Sequence, residues 1–252
     1  MNRNVIITGA SSGIGRELAF QLAARGDDLV LAARRIDTVR QIASEILAKH
    51  PERKVEARAL DVTRYGDVFK LIDEEARRLG RIDLIVANAG IGSTGLIGAG
   101  HFEEDRKVIE TNVIGAMATI DAAIALFRQQ NSGHLVVISS VAAMRGMSGA
   151  GSYCASKAAI ATFADAARVE VFHTPIKVTT LYPGYIDTPI NQDMGDARPF
   201  LIDVQKGSKI IADLIDRGVQ ESTVPVFPWN VISRVLKVMP TSMLARRAPR
   251  KQ

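Results

Sequence analysis

Tyr153 and Lys157 stand four residues apart in Tyr153-Cys154-Ala155-Ser156-Lys157, at the head of an alanine-rich stretch of helical character. At about 100° per residue, positions i and i+4 share one helix face, so the phenol and the ammonium project the same way. A phenol with a pKa near 10 is a poor base at neutral pH. A neighbouring ammonium favours the phenolate and brings it toward the range where it exchanges a proton with an alcohol or a carbonyl. Such a pair also arises by chance in many helices, so it carries weight only with company. Upstream, the apolar run Leu135 to Ile138 ends in Ser139 and Ser140. Either hydroxyl can orient a carbonyl oxygen, and either can instead cap or turn the chain.

A second group of residues suits phosphate. Thr8-Gly9-Ala10-Ser11-Ser12-Gly13-Ile14-Gly15 follows the apolar Val5-Ile6-Ile7 and precedes a helical stretch, Arg16 to Ala24. Glycines at a strand-to-helix turn let the backbone bend tightly, and they let a pyrophosphate approach free N–H groups at the positive end of a helix. The spacing, G-x-x-x-G-x-G, departs from the usual G-x-G-x-x-G. About twenty residues further on, where NAD-binding chains hold the ribose 2′-hydroxyl with a carboxylate, this chain has Ala33-Arg34-Arg35. Two guanidinium groups suit the 2′-phosphate of NADP(H) better than a free hydroxyl. A solvated arginine pair at a strand end is the bland alternative.

The elements that must hold these residues are legible as alternating periodicities. Val5 to Ile7, Leu29 to Leu31, Ile82 to Val86, Leu135 to Ile138 and Val178 to Leu181 are short and apolar but for Asp83, Thr179 and Thr180, as parallel strands covered on both faces are. Between them, Ile36, Val39, Ile42, Ile46 and Leu47, and then Val68, Leu71, Ile72 and Leu79, recur at helical spacing. The alternation predicts an α/β fold, a doubly wound parallel sheet of Rossmann type with about seven strands and helices on both faces. Its ligands should sit beyond the carboxyl ends of the strands. No linker or repeat interrupts residues 1 to 190, so residues 1–252 read as one domain. Residues 190–204 read as a mobile substrate loop with an apolar face, from Met194, Phe200, Leu201 and Ile202.

With its elements in place, the chain resembles a short-chain dehydrogenase/reductase of the compact, single-domain branch. The resemblance rests on Thr8-Gly9-x-x-x-Gly13-Ile14-Gly15, Asp61-Val62, Asn88-Ala89-Gly90, Asn112, the spacing of Ser140 to Tyr153, Tyr153-x-x-x-Lys157, and Pro183-Gly184 followed by Thr188, in the family's order over about residues 4 to 190. It implies an NADP(H)-dependent oxidoreductase that moves a hydride between the nicotinamide and a secondary alcohol or carbonyl. Tyr153 would be the general acid/base and Ser140, rather than Ser139, would fix the substrate oxygen. Lys157 would hold the nicotinamide ribose and lower the tyrosine pKa, and Asn112 would support a water in the proton relay. Around the cofactor it implies Gly9, Ser11, Ser12, Gly13, Ile14 and Gly15 at the phosphates, Asp61 and Val62 at the adenine, Asn88 and Gly90 along the dinucleotide, and Pro183, Gly184 and Thr188 at the carboxamide side. Ala87 departs from the family, where many relatives have a second asparagine. The family commonly forms dimers or tetramers, so a homo-oligomer is expected. The alternative is a cofactor-binding regulator or scaffold of the same fold without useful turnover.

Composition narrows the setting. The 252 residues carry a net charge of +5, yet residues 231 to 252 alone hold Arg234, Lys237, Arg246, Arg247, Arg250 and Lys251 with no acid. The remainder is near neutrality, which gives the body no reason to bind nucleic acid. With Cys154 alone, no internal disulfide and no cysteine cage for zinc can form, and Cys154, about 100° from Tyr153 around the helix, reads as a small buried thiol. The four histidines show no paired metal-ligand spacing, and a solvated or helix-end role is expected for each. The N-terminus lacks a signal-peptide pattern, and no stretch reaches about 18 uninterrupted apolar residues. A soluble, cytoplasmic protein is expected. At residues 230–252, Val231, Ile232, Val235, Val238 and Met239 form an amphipathic stripe, with Pro240 ending the turn. This basic tail either packs on the body or another subunit, or lies weakly on an anionic membrane. Met144, Arg145 and Met147 join the 190–204 loop in suggesting an apolar or bulky carbonyl substrate.

Overall fold

The computed structural model describes residues 2–194 and 198–245. Seven strands form one parallel sheet, in the order β3-β2-β1-β4-β5-β6-β7. They are β1 (Asn4–Thr8), β2 (Asp28–Ala33), β3 (Val55–Ala59), β4 (Leu84–Ala87), β5 (Gly133–Ile138), β6 (Ile176–Pro183) and β7 (Glu221–Val224). The chain leaves the middle of the sheet at β1, winds out to β3, and returns to β4 on the other side of β1. A crevice therefore opens between the carboxyl ends of β1 and β4, the switch point where such sheets bind ligands.

Strand alternation divides the core into two layers. Ile6, Ile85, Ala87, Leu135 and Val137 face one side, against α3 (Tyr65–Leu79), α5 (Ala116–Gln130) and α6 (Gly151–Glu170). Val5, Ile7, Leu84, Val86, Val136 and Ile138 face the other, against α1 (Gly13–Ala24), α2 (Ile36–Lys49) and α7 (Val204–Arg217). Because both faces are covered, most side chains on the central strands are apolar, which is why these strands read as apolar runs. Burying each Val, Leu or Ile fully contributes roughly 1.5–3 kcal/mol, so the central strands carry much of the hydrophobic stabilisation.

The edge strands were not legible as runs. In β3, Glu56 and Arg58 interrupt Val55, Ala57 and Ala59, and β7 is Glu-Ser-Thr-Val. An edge strand is covered less completely, so its exposed positions tolerate polar and charged residues.

One long helical stretch, Phe102–Gln130, is apolar enough by composition to span a membrane, but 61% of its most apolar window is buried inside the protein. It comprises α4 (Phe102–Ile109), a π-helical turn (Glu110–Gly115) and α5. The turn packs closely: a methyl group at Gly115 would stand 2.7 Å from Val62. Both ends of the region read as a mobile loop are tied to the body. A short 3₁₀ helix runs over Pro189–Met194, a bridge pairs Ile186 with Ile202, and the Asp203 side chain caps α7 by accepting from Lys206 N–H at 2.6 Å. Residues 195–197 of that loop lie outside the described residues, as do Arg246, Arg247, Arg250 and Lys251 of the tail.

The described part of the tail forms α8 (Trp229–Val238) and α9 (Thr241–Ala245). The single stripe expected from its sequence is in fact two faces. Trp229 and Ser233 are buried with Ile232 and Leu236 beside them, while Val231, Val235 and Val238 point to solvent on the far side.

Candidate active site

β5 ends in the two serines, and the fold gives them different neighbours. Ser139 Oγ donates to the Lys157 carbonyl at 2.8 Å, stitching the strand end to α6. Ser140 caps the 3₁₀ turn Val141–Met144, accepting from Ala142 N–H at 3.1 Å and donating to the Pro183 carbonyl at 3.4 Å. Its hydroxyl also acts on the Tyr153 phenol, favouring the ionised form.

Tyr153 and Lys157 share one face of the first turns of α6, with the Lys157 ammonium 5.8 Å from the centre of the phenol ring. Lys157 is buried. Its Nζ donates to the Ile138 carbonyl at 3.0 Å and lies 3.5 Å from where a Cβ on Gly90 would stand. Burial lowers the ammonium to about 8. Burial also pushes the Tyr153 phenol up, with Ser140 pulling the other way, so the lowering expected from Lys157 is not what the protein groups produce. Desolvation of the anion is the largest influence on the phenol, and Lys157 is not among the groups that offset it. Tyr153 accordingly holds its proton at neutral pH, as suits a donor.

Asn112 is fully buried in the π-helical turn. Its Oδ1 accepts from Ile91 N–H at 2.8 Å, and its Nδ2 donates to the Ile91 carbonyl at 2.9 Å and to Ser156 Oγ at 3.1 Å. Ser156 in turn donates to the Tyr153 carbonyl at 2.8 Å. Asn112 thus joins the loop after β4 to α6 directly beneath Tyr153. Both of its amide hydrogens are committed, which leaves one acceptor position on Oδ1 for a water. Ser156 is a residue the sequence reading did not single out, although it lies inside the Tyr-x-x-x-Lys motif.

The glycine loop closes the other side of the crevice. Gly9 and Gly13 have φ of +69° and +54°, backbone that glycine adopts without strain. Thr8 Oγ1 accepts from Asn88 N–H at 3.1 Å and Ala89 N–H at 3.2 Å, and Asn88 Nδ2 donates back to the carbonyls of Thr8 at 2.9 Å and Gly9 at 3.3 Å. A methyl group at Gly15 would stand 2.5 Å from Asn88 Nδ2, and one at Gly13 would stand 3.3 Å from Thr188. Asn88 therefore braces the loop, a positioning role in addition to the lining role expected of it.

At α1, residues Ser12, Gly13, Ile14 and Gly15 present first-turn N–H groups with no side-chain cap and no acidic residue beside them. The glycines, the free N–H groups at the positive end of α1 and the nearby arginines fit an anionic dinucleotide. Arg35, at the start of α2, reaches Ser11 Oγ through Nε at 3.3 Å and Nη2 at 3.0 Å, while Arg34 is exposed at the end of β2. Asp61 accepts from Thr63 N–H at 3.1 Å and Thr63 Oγ1 at 2.8 Å, which shapes the turn that presents Val62.

Pro183 and Gly184 lie at the end of β6, where Gly184 N–H donates to the Val224 carbonyl at 2.9 Å. The indole of Trp229 packs on Gly184 so closely that a Cβ there would stand 2.1 Å from Nε1. The same ring meets Tyr185 at 5.8 Å and Phe200 at 6.1 Å between centroids. Trp229, the one tryptophan, lies just before the tail segment and was missed for want of any pattern around it. Thr188 sits over the glycine loop, its hydroxyl donating to the Ile186 carbonyl at 3.2 Å. Cys154 is buried, and burial pushes its thiol up, away from reactivity.

The sheet order, the crevice and the group of Ser140, Tyr153 and Lys157 beside it define a dinucleotide-binding α/β protein. The pattern of the short chain dehydrogenase family matches residues 3–199, and the chain belongs to that family. It is 36% identical over 247 residues to an uncharacterized oxidoreductase of Mycobacterium tuberculosis, covering 98% of this chain and 97% of that one. It is 34% identical over 189 residues to an NADP-dependent 3-hydroxy acid dehydrogenase of Schizosaccharomyces pombe, covering 74% and 72%. Among solved structures, a short-chain dehydrogenase from Sphingobium yanoikuyae in complex with NADPH superimposes with a TM-score of 0.82 at 26% identity, covering 99% of this chain and 98% of that one.

Proposed function

We propose that the protein is an NADP(H)-dependent oxidoreductase interconverting a carbonyl compound and a secondary alcohol. The observation that carries this reading is the convergence of Ser140, Tyr153 and Lys157 at the mouth of a crevice whose glycine loop opens a helix and is flanked by Arg34 and Arg35. NADP(H), when bound, supplies the hydride. The chain supplies position and proton. Ser140, turning its one hydroxyl proton from the Pro183 carbonyl, donates a hydrogen bond to the carbonyl oxygen, and the protonated Tyr153 transfers its proton to that oxygen as negative charge develops. Lys157 holds the ribose side of the cofactor and the charge that receives the phenolate. Asn112, through Ile91 and Ser156, keeps the loop after β4 and the start of α6 in register.

The preference for NADP(H) is supported by the two arginines and the absence of a carboxylate at the end of β2, and by the cofactor dependence of the Schizosaccharomyces pombe relative. The substrate is read as apolar or bulky. Ile190, Phe200 and Leu201 are exposed in the loop beside Gly184, and Met144 and Met147 are half-buried after the serine strand. The whole chain acts as one catalytic unit in the cytoplasm, assembling into a dimer or tetramer. Exposed Ile109, Ile114, Val169 and Phe172 give it apolar surface to do so, and sedimentation checks it.

A panel of ketones, 3-oxoacyl thioesters, steroids and sugars, followed by nicotinamide absorbance with NADPH and NADH, tests the reading. Losing a charge-assisted contact to the 2′-phosphate costs about 1.5 to 3 kcal/mol, so replacing Arg34 and Arg35 by alanine should weaken NADPH roughly ten- to a hundredfold and leave NADH nearly unchanged. Equal losses for both cofactors would refute the arginine assignment.

A further inference from the structure

The outward face of α8 has a composition that solvent does not explain. Val231, Val235 and Val238 are 51%, 47% and 81% exposed at spacings i, i+4 and i+7, so they form one stripe opposite the buried Trp229 and Ser233. Phe227, 75% exposed, precedes the stripe, and Met243, 52% exposed in α9, follows it. Arg234 and Lys237 flank the valines, both exposed. Beyond Ala245 the chain continues with Arg246, Arg247, Arg250 and Lys251, and residues 231 to 252 contain no acid at all. An apolar stripe bordered by Arg234 and Lys237, in a segment without a single acid, is complemented by a surface that is apolar within and negatively charged at its rim.

We propose that this face docks the protein on a lipid bilayer rich in anionic headgroups. The valines, Phe227 and Met243 enter the interface, and Arg234 and Lys237 meet the headgroups. Charge argues against a second copy of the chain as the occupant. A two-fold interface would set like-charged residues against one another with no acid in the segment to relieve them. A nucleic acid would take up the bases but leave the valine stripe in water.

The location gives docking a consequence. The inner face of α8 carries Trp229, which packs on Gly184 and on Phe200 of the loop beside the catalytic group, and Arg145 after the serine strand donates to Thr241 Oγ1 at 3.1 Å. Docking would therefore hold Phe200, beside the catalytic group, near the bilayer, where apolar carbonyl compounds concentrate. The docking surface stands without the oxidoreductase reading; only this supply of substrate rests on it.

The test is cosedimentation of the full-length protein with vesicles of phosphatidylcholine alone or mixed with phosphatidylglycerol, at low and high salt. A DNA duplex is titrated in parallel. Binding is expected to the anionic vesicles only, and to fall at least roughly tenfold at high salt because exposed charges are then screened. Two variants accompany it, V235D with V238D, and R234Q with K237Q. Each pair should weaken vesicle binding roughly tenfold or more while melting temperature, oligomeric state and turnover of a water-soluble ketone stay as in the unaltered protein. If the valine pair disturbs folding, the charge pair decides alone. Absence of binding at low salt, binding untouched by the charge pair, affinity for DNA equal to that for vesicles, or an oligomer split by the valine pair would each overturn the proposal. Vesicle binding by a protein that turns over no carbonyl would leave docking standing and remove only its catalytic consequence.

Discussion

Tyr153, Lys157 and Ser140 were legible because their chemistry depends on spacing along one strand and one helix, and spacing is what a sequence preserves. The environment of each was not. Burial sets Lys157 at about 8 and raises Tyr153, the reverse of a phenolate poised near neutrality. A pH profile follows from those directions. Reduction needs the phenol protonated and the ammonium charged, so its rate should be level through neutral pH and decline only above about pH 8, as Lys157 discharges. Oxidation, which needs Tyr153 as the base, should rise toward alkaline pH instead. A reduction rate that climbed between neutral and alkaline pH would contradict the assignment. The contact of Arg35 with Ser11 was equally invisible, since Arg34 and Arg35 are equivalent in sequence and only the turn into α2 aims one of them at the glycine loop.

At the scale of elements, the five central strands and the helices that cover them followed from period and apolarity. β3 and β7 escaped because an edge strand keeps polar residues, and the π-helical turn that carries Asn112 escaped because one extra residue per turn leaves no compositional mark. The tail was read as one amphipathic stripe, whereas α8 divides its apolar residues between a buried face and an exposed one. The glycine loop shows how closely elements can depend on one missing side chain. Gly15→Ala would place a methyl group 2.5 Å from both Asn88 Nδ2 and the Gly9 carbonyl, neither of which can yield without moving the loop. We expect that substitution to cost about 1–3 kcal/mol of stability and to weaken NADPH at least roughly tenfold. Differential scanning calorimetry and fluorescence titration check it, and unchanged affinity would mean the loop does not cradle the phosphates.

For the molecule as a whole, stability in acid should depend on one residue that the sequence left unassigned. His134, expected to be solvated, is half-buried in β5 and bonds Thr179 of β6 at 2.8 Å. Burial first, then the charges of Lys177 and Arg3, lower it from 6.5 to about 4. Its contribution is therefore fully present above about pH 6.5 and is lost as the pH falls toward 4, because the unfolded chain takes up the proton first. At 1.36 kcal/mol per unit the loss reaches up to roughly 3 kcal/mol. His134→Gln keeps a donor in the position of Nε2 and cannot titrate, so its stability should fall less steeply than that of the unaltered protein between pH 6.5 and 4. Parallel urea-denaturation curves across that range would place the acid sensitivity elsewhere.

The central claim, that Tyr153 delivers the proton while NADP(H) delivers the hydride, is tested most directly by single-turnover reduction of a ketone with Tyr153→Phe. The variant lacks only the hydroxyl, which is the acid and not a main cofactor contact. The account predicts NADPH binding close to that of the unaltered protein and a rate of hydride transfer lower by a hundredfold or more, the usual contribution of a positioned acid. A variant that kept more than about a tenth of the rate, or an unaltered protein that bound NADPH and reduced no carbonyl compound, would contradict it.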